Sequence, residues 1–148
     1  MNKLPKFFTY WFPILVYCLL IFIQSSRPSP DITPHWPYFD KVLHAIAYAL
    51  LGALFLRAFN TTRIQHHLKL IFMLSILFSS LYGISDEIHQ SFVPYRTADV
   101  MDALADILGS AFGVYIFFKI KIGKNAKITK PGFWQNRVLF LIIIDPIF

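Results

Sequence analysis

The chain has 148 residues, of which 56% are apolar and only 15% charged, whereas a typical globular chain carries about a quarter charged residues. A single small core cannot hide that much apolar surface, which excludes a soluble globular domain and points to a lipid environment. The one cysteine, Cys18, excludes a disulfide framework and a cysteine-based zinc cluster. The meaning of the net charge of +6 then depends on where the charges fall.

A helix crossing a hydrocarbon layer of roughly 30 Å needs about 20 largely apolar residues. In chain order, residues 7–26, 42–59, 68–85 and 101–120 meet that requirement, the last with acids at its start. They predict an all-α fold, an integral membrane four-helix bundle, with residues 1–118 as its transmembrane domain. The first stretch follows Lys3 and Lys6 but is longer than a signal-peptide core. Gln24-Ser25-Ser26-Arg27-Pro28 offers no small-residue cleavage site, so it reads as a retained anchor. A connection with Pro28, Pro30, Pro34 and Pro37, a polar loop over residues 60–67 and a turn over residues 90–100 separate the spans. Tyr10, Trp11, Trp36 and Tyr38 are expected in the interfacial aromatic belt. Residues 119–148 read as a basic juxtamembrane tail; its apolar end, residues 138–148, is too short to span and contains Asp145-Pro146.

Loop charge sets the expected orientation. Lys3, Lys6, Arg57, Arg63, Lys69, Lys119, Lys121, Lys124, Lys127, Lys130 and Arg137 fall on the side shared by the N-terminus, the second loop and the tail. Only Arg27, Lys41 and Arg96 fall on the other, so both termini are expected in the cytoplasm. The acids run the opposite way: Asp31, Asp40, Asp86, Glu87, Asp99, Asp102 and Asp106 lie at or beyond the outer face. The basic excess thus serves anchoring against anionic lipid, and no nucleic-acid footprint emerges.

Polar side chains inside a membrane are costly and mark function. Asp40, His44 and Tyr48, spaced i, i+4, i+8, share one face at the outer end of the second helix. Asp102 and Asp106 do the same on the fourth, joined by Asp99 if that helix begins early. The third ends in Ser85-Asp86-Glu87-Ile88-His89-Gln90, with Arg96 in the following turn. So many carboxylates at one depth must be protonated, paired or bound to a cation; a proton shared between Asp102 and Asp106 would make one of them a general acid near neutral pH. The candidate binding residues are therefore Asp40, His44, Tyr48, Asp86, Glu87, His89, Gln90, Arg96, Asp99, Asp102 and Asp106. If chemistry occurs, Asp106, Asp102, Glu87, His89 and His44 are the acid–base candidates.

Plainer roles stand beside these. Asp40 can cap the second helix, Asp99 and Asp102 can serve as first-turn acids, and His44 can bridge helices. A divalent ion on His44, Glu87, His89 and an aspartate matches no standard zinc spacing, so no metal and no cofactor are assigned. Gly52, Gly109 and Gly113 suit close helix packing, the last two at a G-x-x-x-G spacing that fits packing within the chain as well as dimerisation. Gly83 is expected to loosen the third helix. Ser85 and Ser91 lie near His89 without an oxyanion-hole motif, so no nucleophile–base pair is expected.

Three stretches resemble the VanZ-like family of small bacterial membrane proteins. Asp40 to Gly52 is similar to a D-K-x-x-H-x-x-x-Y-x-x-L-G pattern, Ser85 to Arg96 to a D-E-x-H-Q-x-F-x-P-x-R signature, and Asp99 to Gly113 to a closing D-x-x-x-[ND]-x-x-G helix. With the first span, the likeness covers about residues 10–118. Where some members have Asn in the closing motif, this chain has Asp106. The resemblance implies a multi-pass protein of the bacterial inner membrane, linked to the cell envelope and, through the protein that names the family, to teicoplanin susceptibility. Two functions follow as expectations: an outer-face polar pocket binding a lipid-linked or cell-wall precursor, headgroup or cation, or a membrane-embedded enzyme with Asp/Glu/His acid–base chemistry on an envelope lipid or phosphate.

Overall fold

The structure, a computed structural model, describes residues 5–27, 38–94, 96 and 98–128, with side chains described as far as Lys121. The proposed Trp36 belt position and the apolar end of the tail lie outside these residues. The helices are α1 (Lys6–Tyr10), α2 (Phe12–Ser25), α3 (Phe39–Phe59), α4 (Leu68–Gln90) and α5 (Val100–Ile128), and the described residues contain no strand. Lys6–Ser25, Phe39–Phe59, Leu68–Gln90 and Val100–Lys121 are long and apolar enough to cross a membrane. This is an all-helical, multi-pass membrane protein.

Helix boundaries follow backbone chemistry where hydropathy alone misplaces them. The first span breaks at Trp11, between α1 and α2, because Pro13 sits in the first turn of α2; proline is accepted there but lacks the N–H that would continue a helix through it. α4 runs to Gln90, past the expected residue 85, since Ser85 to Gln90 is polar without glycine or proline. α5 continues to Ile128, past residue 120, because lysines end an apolar run without ending a helix.

The described residues up to Tyr115 form one compact unit, and those from Ile116 onward a second. Within the first, Tyr17 donates to the Ala47 carbonyl at 3.2 Å and Tyr82 to the Cys18 carbonyl at 2.6 Å, tying α2 to α3 and α4. Ile14, Tyr48, Leu51 and Ala58 form the core. Tyr10 and Trp11 pack against it, Tyr10 facing the Arg57 guanidinium at 4.9 Å and Trp11 meeting Phe59 edge-on at 5.4 Å. Leu19, Ile46, Leu50, Met73, Leu108 and Phe112 face outward, whereas Ser75, Ser79, Asp106 and Ser110 are fully enclosed. That inside-out pattern suits lipid.

α3 and α5 approach each other at backbone distance. A Cβ on Gly109 would collide with the Ala45 carbonyl, and one on Gly113 with the Ala49 carbonyl. The G-x-x-x-G pair therefore packs inside the chain, bringing two backbones together as small residues allow.

Candidate functional site

The start of α3, the end of α4 and the start of α5 meet at one end of the bundle, beside the end of α2. Polar side chains there form layers, stepping inward by about 1.5 Å per residue of helix.

The outer layer centres on Lys41, whose ammonium donates to Asp99 Oδ2 at 2.7 Å, Asp102 Oδ1 at 2.9 Å and Asp40 Oδ2 at 3.2 Å. Asp99 immediately precedes α5 and also accepts the Met101 N–H at 2.8 Å, the geometry of a helix N-cap. Lys41 and then that N–H hold the Asp99 carboxyl below the usual carboxylate range. Asp40 does not cap α3: it lies inside the first turn, the residue ahead of the helix is Tyr38, and no side chain caps that end. Its carboxylate sits at the rim, 59% exposed, while Lys41 turns inward. The inward line on α3 is thus Lys41, His44 and Tyr48, one residue off the predicted Asp40 start.

One turn deeper, His44 Nδ1 lies 3.0 Å from Asp106 Oδ1 and 3.7 Å from Glu87 Oε1. Asp106 is 0% and Glu87 6% exposed. Glu87 is anchored through its other oxygen, which accepts the Asp99 backbone N–H at 3.1 Å. Asp102 and Asp106 have separate partners, Asp102 pairing with Lys41 and Asp106 with His44. Gly83 stands within an unbroken α4, contrary to the expected loosening. Its missing side chain makes room for Asp106, because a Cβ there would lie 2.8 Å from Asp106 Oδ2. That oxygen and the Tyr48 hydroxyl are buried without a hydrogen-bond partner among the described residues.

Below this, Ser79 Oγ donates to the Tyr48 carbonyl at 3.2 Å, and Ser110 Oγ lies 2.8 Å from Ser79 Oγ. To one side, the Gln90 amide donates to Asp86 Oδ2 at 3.1 Å and approaches Glu87 Oε1 at 3.5 Å, while its oxygen accepts from Arg96 at 2.9 Å. Arg96 also donates to the Arg27 carbonyl at 3.0 Å and the Gln24 carbonyl at 3.4 Å, stapling the end of α2 to the turn after α4.

His89 parts from the other candidates. It stacks on Phe22, with centroids 4.5 Å apart, and its Nε2 lies 2.9 Å from Ser26 Oγ. The serine that meets His89 is thus Ser26, not Ser85 or Ser91. Ser26 Oγ is also 2.7 Å from the Phe22 carbonyl, to which it donates, so toward His89 it acts as acceptor. That arrangement ties helices together and does not activate a nucleophile.

Lys41, Gly83, Ser79 and Ser110 were absent from the predicted set. Lys41 and His44, at i and i+3, carry a helical signal as strong as Asp40 and His44, and Ser110 lies one turn below Asp106. Nothing local marks Gly83.

The family model described as VanZ/LLP1 matches residues 4–122. An uncharacterized protein of Schizosaccharomyces pombe is 32% identical over 104 residues, which cover 70% of this chain and 60% of the yeast protein. The chain therefore spans less than two thirds of that relative's length. No solved structure matches. The match across residues 4–122 includes all four spans and every layer of the polar cluster, and the chain belongs to the VanZ/LLP1 family.

Proposed function

We propose that the polar end of the bundle is a binding site on the outer face of a bacterial inner membrane, taking the headgroup of an envelope lipid or a lipid-linked cell-wall precursor. The supporting observation is that the ends of the helices deliver Lys41, Gln90, Asp102, His44, Glu87 and Asp106 to one place within an otherwise apolar bundle. Buried polar groups carry a desolvation cost of several kcal/mol when charged, and a network of this size inside a membrane is the mark of a ligand site. Asp40 and Asp99 at the rim, together with Lys41, offer both signs of charge to a polar headgroup. A change in teicoplanin susceptibility belongs to this reading as a consequence of holding an envelope precursor.

The second reading is an enzyme in which Asp106 or Glu87 acts as general acid or base through His44. The short His44–Asp106 contact favours it, since an imidazole oriented by a carboxylate is a recurring proton-transfer device. Asp106→Asn separates the two readings. Loss of headgroup affinity in proportion to lost stability supports binding; abolished envelope phenotype at unchanged stability and affinity supports catalysis. Native mass spectrometry of protein released from gentle detergent tests the site directly. A co-purifying lipid that disappears in the Lys41→Met variant is expected, and a lipid-free wild type overturns the binding reading.

A further inference from the structure

The innermost carboxylates lack enough positive charge among the described residues. Lys41 is engaged by Asp40, Asp99 and Asp102. Arg96 donates to Gln90 and two backbone carbonyls, and among the described residues no ion pair joins it to a carboxylate. Asp86, Glu87 and Asp106, exposed by 5%, 6% and 0%, are left with one imidazole between them. The Tyr48 hydroxyl and Asp106 Oδ2 are both buried without a hydrogen-bond partner among the described residues.

We propose that His44 Nδ1, Glu87 Oε1 and Asp106 form a site for one first-row divalent transition-metal ion. It rests on the reading of this cluster as a ligand site and names the ion in it. One donor atom from each of the three residues lies within 4.8 Å of the others. Metal–ligand bonds of about 2.0–2.2 Å place neighbouring donors roughly 3–3.5 Å apart, and the His44–Asp106 and His44–Glu87 separations are 3.0 and 3.7 Å. The Glu87 and Asp106 donors lie within the same 4.8 Å, so a bound ion would draw the two carboxylates toward it to close the set. One imidazole and two carboxylates suit Mn²⁺, Fe²⁺ or Zn²⁺, whereas Mg²⁺ and Ca²⁺ prefer all-oxygen shells. The surroundings are those of a metal site. The Asp99 N–H fixes one Glu87 oxygen and leaves the other for the ion, Gln90 braces Glu87 from the side, and Gly83 admits Asp106 to the interior.

The ion also reconciles an acidic cup with an anionic lipid. Three protein donors leave coordination positions for water or for a phosphate oxygen, so the metal attracts a headgroup that the carboxylates alone would repel. The sequence offered His44, Glu87 and an aspartate together with His89, which the fold carries away to Phe22 and Ser26; no short motif links the remaining three, because each comes from a different helix.

Purified full-length protein, stripped with chelator and titrated with Mn²⁺, gives the test. The expected result is one ion per chain, a raised Tm, and nitrogen modulation from a coordinated imidazole in pulsed electron paramagnetic resonance. Affinity is expected to fall at least tenfold in Glu87→Gln and Asp106→Asn, and the nitrogen signal to vanish in His44→Gln. Should His44→Gln fail to fold, the nitrogen signal of the wild type and the affinity of Glu87→Gln decide. Absence of stoichiometric binding, or binding unchanged by these substitutions, overturns the proposal and leaves protons as the charge balance. Lipid measured in the same preparations separates this from the broader reading: lipid retained without metal removes only the ion, and metal bound without lipid removes only the headgroup.

Discussion

A single residue, Lys41, links α3 to the cap of α5. Its side chain is 18% exposed and faces an Asp102 side chain that is 11% exposed, so neither partner can turn fully to water once the other is gone. Lys41→Met leaves Asp102 without its cation and is expected to cost about 1–3 kcal/mol at neutral pH, the range for an unpaired, largely buried polar group. The pH dependence has a definite sign. Asp99 titrates below its ordinary value in the folded state because Lys41 and the Met101 N–H favour the carboxylate. Its contribution is present above the unfolded aspartate pKa of about 3.9 and is lost as pH falls through the lower folded value. Thermal unfolding in detergent between neutral and acid pH should show a drop on the acid side that Lys41→Met flattens; an acid limb identical in wild type and variant contradicts the assignment. Lys41 was legible as a charge and as part of a motif. Its inward turn was not, because Asp40 and Lys41 are adjacent and periodicity cannot tell which of two neighbours faces in.

At the scale of elements, the bundle depends on how closely α5 approaches α3. Gly109 and Gly113 sit against the carbonyls of Ala45 and Ala49, and backbone cannot yield as a side-chain tip can. Gly109→Ala and Gly113→Ala should each destabilise the fold by about 1–3 kcal/mol or more, the cost of overpacking a closed contact. Leu108→Ala, at a position 69% exposed toward the surroundings, should stay within about 0.5 kcal/mol. Tm and monodispersity on gel filtration read the difference, and equal tolerance at all three positions contradicts the contact. The spacing of the glycines was visible in the sequence, and so were the spans, because apolar length is a local property. Which helix receives the glycines is not local, and neither is the meeting of His44 with Glu87 and Asp106. The pairing of Asp106 with Gly83 was hidden for the same reason: an absent side chain becomes informative only when the group filling its space is known.

For the whole molecule, charge asymmetry and site position make one connected statement. α2 and α4 run toward the polar end and α3 and α5 start from it, so that end shares a side with the turn after α4, while the 60–67 loop between α3 and α4 lies at the opposite end. Arg57 and Lys69 flank that loop and Arg63 lies in it, whereas six acids, Asp40, Asp86, Glu87, Asp99, Asp102 and Asp106, gather at the polar end. The positive-inside rule weighs basic residues in short loops and near span ends, and it predicts the 60–67 loop in the cytoplasm and the polar cluster outside. Single cysteines in a Cys18→Ser background test this in intact cells, using Ser91→Cys beyond α4 and His66→Cys in the loop, both exposed positions. A membrane-impermeant maleimide should label Ser91→Cys in intact cells and His66→Cys only after permeabilisation. The opposite pattern would turn the acidic end to the cytoplasm, where an external cell-wall precursor could not reach it, and the proposed headgroup site would fall while the metal set, which depends on internal geometry alone, would stand.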